Sequence, residues 1–264
     1  MKQRIVQISA LLILHLSWGP QAKWFCNPVL SCHSCPLYFF ACPIGVLVHF
    51  SGYHIFPFLV LGTLLLIGVL VGRLFCGWIC PFGLFQDILY KVPGRKINLP
   101  KWSESIKYLV LIFMVILIPF FLGELTMFSF CRICPAATLE VSTPYMIKSG
   151  IGDISLYRII RYGFLFGIIG LSIVATRGFC RVFCPIGAIM AGANYFSFWR
   201  VNMKKGSCTS CGLCDKVCPT QVEPSKRAIK NIPVNRTADC VVCHRCTSAC
   251  PQRSKKKGPK PDEI

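Results

Sequence analysis

Charge, and acidic charge above all, is what this sequence has least of. Only 15% of its 264 residues are charged while 54% are hydrophobic, a balance that excludes an ordinary soluble domain and points to a small helical membrane protein. Asp and Glu number 10 against 29 Lys and Arg, for a net charge of +19, which favours a membrane surface or an acidic partner. No nucleic-acid-binding motif accompanies these basic residues, which flank apolar runs instead, so no nucleic-acid partner is expected. No constellation supplies a general base, a nucleophile or a nucleotide-binding loop. A non-catalytic subunit is therefore expected rather than an enzyme in its own right.

Cysteine is the opposite case, with 18 in the chain. In a small secreted protein that number would mean a disulfide scaffold. Here the spacings are CxxC and CxxxC pairs followed by proline, and two CxxCxxCxxxCP runs, which is the pattern of metal ligands.

Apolar segments at roughly 5–18, 54–72, 108–122 and 158–176 are each compatible with a membrane helix. The first could be a secretory signal, but "SWGPQAKW" offers no small-residue cleavage site, so a retained helix is favoured. Lys2, Arg4, Arg73, Lys91, Arg95, Lys96, Lys101, Lys107, Arg177, Arg181, Arg200, Lys204 and Lys205 fall on one side of these spans, and Lys23, Arg132, Lys148, Arg158 and Arg161 on the other. Basic residues stay in the cytoplasm, which places both termini there, with outward loops at about 19–53 and 123–157.

The cysteines then reveal a repeat. Each half runs outward, passes a CxxCP in the outer loop (Cys32, Cys35, then Cys131, Cys134), returns, and ends in CxxxCP at the inner face (Cys76, Cys80, then Cys180, Cys184). The same order twice implies parallel repeats about an axis along the membrane normal. The expected fold is thus an α-helical membrane protein of four transmembrane helices in two parallel repeats with short helices begun by Cys-Pro. A C-terminal 2[4Fe–4S] ferredoxin-like α+β domain follows. The boundaries are a membrane domain over 1–200 (repeats 1–100 and 101–200), a ferredoxin domain over 201–252 and a basic disordered tail over 253–264.

A hydrocarbon core of ~30 Å is expected to separate the outer from the inner cysteines, so ligands must meet their symmetry mates on the same side. Cys76, Cys80, Cys180 and Cys184 should hold an inner-face cluster. For an outer-face cluster the candidates are Cys32, Cys35, Cys42, Cys131 and Cys134, with Cys26 the weaker one. "ACPIGVL" around Cys42 resembles "FCPIGAI" around Cys184, so Cys42 is an alternative to Cys32 or Cys35; a separate site of Cys26, Cys32, Cys35 and Cys42, or a disulfide among the surplus, are the other options. Proline suits the first position of a helix, and a helix N-terminus turned toward an anionic cluster supplies N–H groups and positive dipole.

"CTSCGLCDKVCP" and "CVVCHRCTSACP" match the bacterial C-x₂-C-x₂-C-x₃-C-P run, in which the fourth cysteine ligates the other cluster. Cys208, Cys211, Cys214 and Cys250 should hold one [4Fe–4S], and Cys240, Cys243, Cys246 and Cys218 the second. "CVVCH" also matches a c-type haem site, but it lies inside a complete ferredoxin run whose twin lacks the histidine, so His244 reads as an ordinary surface residue. His15 is either a group satisfied within the bundle or the lining of a quinol pocket, and Asp87 and Glu124 read as interface-exposed.

"CGWICPFG", "CRVFCPIG" and the paired ferredoxin runs resemble the membrane polyferredoxins, in particular the NapH-type subunits of periplasmic nitrate reduction. More distantly they resemble the electron-transfer parts of the nitrous oxide reductase regulator and the cytochrome oxidase accessory protein. The resemblance spans nearly the whole chain, although the outer loops carry extra cysteines. It implies a quinol-linked or ferredoxin-linked electron-transfer subunit of a bacterial or archaeal inner membrane. The residues support a conduit between a cytoplasmic ferredoxin module and the outer face, serving a redox partner protein or the quinone pool. An assembly factor that reduces a partner's metal centre, and a membrane redox sensor, are the alternatives.

Overall fold

The computed structural model describes residues 2–15, 22–149, 155–203 and 208–251. The tail expected over 253–264 and part of the expected outer loops lie outside the described residues. Among the described residues two helices are long and apolar enough to cross a membrane, Lys101–Leu122 and Leu156–Val174. The expected spans at 5–18 and 54–72 take the form of Lys2–His15 and Phe58–Val71, each of 14 residues, against the ~20 that a bilayer asks of a straight helix. Gly72 closes the second of these at φ +60, where a Cβ would stand 2.5 Å from Asn194 Oδ1, so only glycine fits. In Lys101–Leu122 a π-helical stretch, Val110–Leu117, precedes Pro119. The proline has no N–H for the carbonyl one turn back, and a widened turn absorbs the lost register.

Four Cys-Pro steps inside the bundle start a helix, while the fifth, Cys35-Pro36, lies in a turn. Cys42, Cys80, Cys134 and Cys184 are all extended, with ψ of 122, 118, 124 and 113, and Pro43, Pro81, Pro135 and Pro185 follow at the first helical position. A residue before proline is driven out of the helical region, and proline's fixed φ suits a first turn, so the dipeptide sets the break and permits the restart.

The halves interlock. Phe58–Val71 packs on Pro185–Phe196 of the other half, and Leu156–Val174 packs on Pro81–Leu89. Lys2–His15 lies against Leu74–Trp78 and Pro81–Leu89, while the start of Lys101–Leu122 lies against Gly178–Val182 and Pro185–Phe196. A single apolar core joins them, and the outward faces of Phe58–Val71 and the two long helices carry exposed Leu65, Leu66, Phe113, Ile159 and Phe166, as a helix against lipid does.

Two expectations are corrected. The loop after the first helix does not stay a membrane's width from the inner cysteines. It folds inward through the parallel pair Ala22–Cys26 and Phe40–Ala41, burying Val29, Leu30 and Tyr38 in the shared core and pointing the Leu30 N–H at the Cys80 sulfur. The apolar side chains drive it there, since a loop of this composition loses free energy by remaining in water. The ferredoxin module, in turn, is not α+β among its described residues: it has the short helices Leu213–Lys216, Pro224–Ile229 and Arg245–Ala249 and no strand. Val234 N–H donates to the Val201 carbonyl at 2.9 Å, but the return bond from Val201 N–H goes to Asn235 Oδ1, and Pro233 has no N–H to extend a ladder.

Candidate iron–sulfur centres

Four groups of cysteines come together. Cys76, Cys80, Cys180 and Cys184 lie within electrostatic reach of one another where the two halves meet. The first half reaches across to the second, because Gln86 Nε2 donates to Cys180 Sγ at 3.0 Å while Gln86 Oε1 accepts the Phe179 N–H at 3.1 Å. Sequence reasoning passed over this buried glutamine, which carries no local signal.

The second group gathers four of the six outer cysteines. Cys32, Cys42, Cys131 and Cys134 are mutual neighbours and together line a cavity of about 380 Å³. Cys35 neighbours Cys32, but Cys35 and Cys26 are both buried outside the cavity wall. Cys42 thus takes the place that the CxxCP spacing alone would give Cys35, because it caps a proline-started helix whose Ile44 and Gly45 N–H groups turn toward its sulfur. All 18 cysteines are free thiols. Glu140 from the opposite half anchors this loop, accepting the Cys32 N–H at 2.6 Å and the Ser31 hydroxyl at 2.8 Å. His15 is satisfied in the bundle by the Leu11 carbonyl at 3.0 Å and by Ser31, with Tyr38 stacked near it.

In the ferredoxin module Cys208, Cys211, Cys214 and Cys250 line one cavity of about 320 Å³, and Cys218, Cys240, Cys243 and Cys246 neighbour one another in the second group. Burial pushes the Cys240 and Cys246 thiols up to about 12 and Cys214 up to about 11. Such thiols keep their protons at neutral pH unless a cation replaces them, so metal binding and proton release are coupled. Among the described residues no three His, Cys, Asp or Glu close in tightly enough for a single metal ion. A cube whose iron corners each take one thiolate spreads its ligands more widely, and each of these quartets offers the four cysteine sulfurs it requires.

The second ferredoxin quartet is clamped to the inner quartet. Trp78 Nε1 donates to the Val242 carbonyl at 3.0 Å, and Asn194 Nδ2 donates to the Cys240 carbonyl at 2.7 Å. Gly77, between Cys76 and Cys80, meets the 241–243 backbone so closely that a Cβ would lie 2.1 Å from the Val241 carbonyl. Its own carbonyl accepts from Gln3 and Gln7 of the first helix. Asp87, expected at an exposed interface, is instead buried between Arg177, bidentate at 3.0 Å on each oxygen, and Arg245 of the module at 2.5 Å. Burial alone would raise its pKa, but the two guanidinium groups outweigh it and hold the carboxyl below its usual range. His244 likewise is no free surface residue, since it accepts from Trp199 Nε1 at 3.3 Å and packs beside Trp78. Glu124 is half-buried and pairs with His49 at 2.6 Å.

Residues 53–100 and 158–204 each match a family described as a 4Fe–4S binding domain, so each stretch encloses one inner CxxxCP pair. A protein of Methanocaldococcus jannaschii, itself uncharacterized, is 28% identical over 71% of this chain and 73% of its own. The methylamine utilization ferredoxin-type protein MauN of Methylobacillus flagellatus is 30% identical over 64% of this chain, and the ferredoxin-type protein NapH of Haemophilus influenzae is 26% identical over 70%. The chain spans 57% and 62% of those two relatives' lengths. No solved structure matches. The duplicated cluster-binding domain and the ferredoxin-type relatives agree, and together they support a likeness of this chain to the NapH-type, ferredoxin-like 4Fe–4S electron-transfer proteins.

Proposed function

We propose that this protein is a membrane electron conduit with four [4Fe–4S] centres in line, leading from the ferredoxin module through the inner quartet to the outer quartet. The ligands are Cys208, Cys211, Cys214 and Cys250; then Cys218, Cys240, Cys243 and Cys246; then Cys76, Cys80, Cys180 and Cys184; then Cys32, Cys42, Cys131 and Cys134. When bound, the clusters supply one-electron chemistry without bond making.

The observation that carries the reading is the inward loop. Leu30 faces the Cys80 sulfur and Cys32 lies two residues on, so about 7 Å of extended chain links the inner quartet to the outer one. Tyr38, fully buried, neighbours both Cys42 and Cys80 and keeps water out of the gap. On the other side the Gly77 contact brings the second ferredoxin quartet against the inner one. The interlocked packing of the halves supports two parallel repeats, with Lys2–His15 and Phe58–Val71 completing a four-helix membrane domain whose ferredoxin end is cytoplasmic. The partner is a redox protein or oxidoreductase at either end, with quinol as the small-molecule alternative.

The test is direct. Protein purified without oxygen is expected to hold about 16 iron and 16 acid-labile sulfide per chain. Reconstituted in vesicles, it should reduce a trapped acceptor from an external impermeant reductant, and Cys32→Ser should abolish that transfer. About 8 iron, or transfer unaffected by Cys32→Ser, defeats the proposal.

A further inference from the structure

The two inner CxxxCP motifs are longer than their cysteines. "RLFCGWICP" at 73–81 and "RGFCRVFCP" at 177–185 both place arginine three residues before the first cysteine. Both arginines are withdrawn from solvent, Arg73 at 2% exposure and Arg177 at 0%. Each crosses to the opposite half. An Arg73 Nη2 stands 2.8 Å from where a Gly187 Cβ would be, beside the Cys184 Cβ at 3.6 Å, and the Arg177 guanidinium stands 3.9 Å from the matching point on Gly83, beside the Cys80 Cβ at 3.8 Å. Glycine two residues after each proline is what admits the guanidinium to the quartet.

The other ends of these side chains meet the ferredoxin module. Arg73 Nη1 donates to the Ala238 carbonyl at 2.5 Å and lies 3.6 Å from Asp239. Arg177 Nη1 donates to the Cys76 carbonyl at 3.2 Å, and its remaining nitrogens hold Asp87, which Arg245 holds from the module side. Arg177 adopts a left-handed backbone, φ +49, a strained conformation that persists where surrounding contacts demand it. Among the described residues the Arg73 Nε has no hydrogen-bond partner, an unusual state for a buried donor unless a further acceptor faces it. Electrostatically, Arg73 senses Cys76, Cys180 and Cys184, and Arg177 senses Cys180 and Cys243.

We infer that Arg73 and Arg177 are a symmetry-related pair of positioning residues, fixed cations between the inner quartet and the second ferredoxin quartet, that hold the transferred electron on the inner quartet. Reduction by one electron adds one negative charge there while the donor, a ferredoxin cluster, loses one. A buried guanidinium in that gap stabilises the added charge in a medium that screens it little. Asp239 and Asp87 act in the opposite sense, as partial counter-charges, with Lys107 also on Asp239. This rests on the conduit reading.

The experiment is a potentiometric titration of the full-length holoprotein followed by electron paramagnetic resonance, the inner signal being the one that Cys180→Ala removes. Arg73→Gln and Arg177→Gln are each expected to lower the reduced-to-oxidised ratio of that signal at least tenfold at fixed poise, about 59 mV for one electron. Arg73→Lys should stay within threefold of the native ratio. Asp239→Asn and Asp87→Asn should raise it. Opposite signs for the arginine and aspartate variants are beyond a purely structural role. Should the glutamine variants fail to load iron, the lysine and asparagine variants decide. Shifts of one sign throughout, or none beyond threefold with about 16 iron present, overturn the inference alone, whereas about 8 iron in the native protein removes the conduit reading with it.

Discussion

Gly77→Ala tests how tightly the ferredoxin module must be seated. The new Cβ would stand 2.1 Å from the Val241 carbonyl oxygen and 3.6 Å from Cys243 Cα, both backbone atoms that cannot swing away. Moving from 2.1 Å to the 3.4 Å of an ordinary contact takes a displacement of about 1.3 Å. That stretches the neighbouring Trp78–Val242 hydrogen bond, now 3.0 Å, out of bonding range. Overpacking of this kind costs about 1–3 kcal/mol and the lost hydrogen bond about 1 kcal/mol more. At 1.4 kcal/mol per factor of ten, the open fraction of the interface should rise at least ~10-fold. Hydrogen exchange over 238–246 in the intact protein reads that opening directly. Electron transfer from the module to the inner quartet should slow in parallel. Gly163→Ala is the control, since nothing stands within 4 Å of its Cβ position in the long helix Leu156–Val174, and alanine there should be neutral or stabilising by up to about 1 kcal/mol. Unchanged exchange over 238–246 in Gly77→Ala would refute the tight interface and the cluster order built on it.

Serine at Cys32, Cys42, Cys131 or Cys134 is expected to remove about 4 of about 16 iron atoms, and serine at Cys26 or Cys35 none, by iron and sulfide analysis. Iron chelation should unfold the ferredoxin module, whose apolar core is little more than Val201, Val234, Val242 and three cysteines, while leaving the long helices protected from hydrogen exchange. Asp87→Asn leaves Arg177 buried without its anion and should cost about 3–5 kcal/mol at neutral pH, read as a lower melting temperature. Because the Asp87 pKa is held below its unfolded value, that contribution is complete above about pH 4 and disappears as pH falls through the folded value. The melting gap between native protein and Asp87→Asn should therefore close only in acid.

How far the site was legible depended on whether its chemistry is written in neighbouring residues. The ferredoxin runs are such a case: their ligands sit at short fixed spacings, and both groupings they imply come together in the fold. The repeated CxxxCP pairs likewise point to one another once the duplication is seen. The outer quartet was ambiguous because two cysteines compete for one place, and spacing cannot say which of Cys35 and Cys42 turns toward Cys131. In the fold it is Cys42, at the N-terminus of a proline-started helix, that lies beside Cys131.

The sequence by itself determined the cofactor class, the membrane-protein composition, the duplication and the chain breaks at Cys-Pro, since each follows from local rules: thiolate spacing, apolar content, and the constraint that proline places on itself and its predecessor. Only the tertiary structure decided that the first outer loop plunges to Cys80, that Asp87 is a buried clamp, and that Arg73 and Arg177 each reach into the other half. Those facts join residues up to 158 positions apart. No local propensity encodes such pairs, because burying Leu30, Tyr38 and two arginines is favourable only when both halves and the module close around them together.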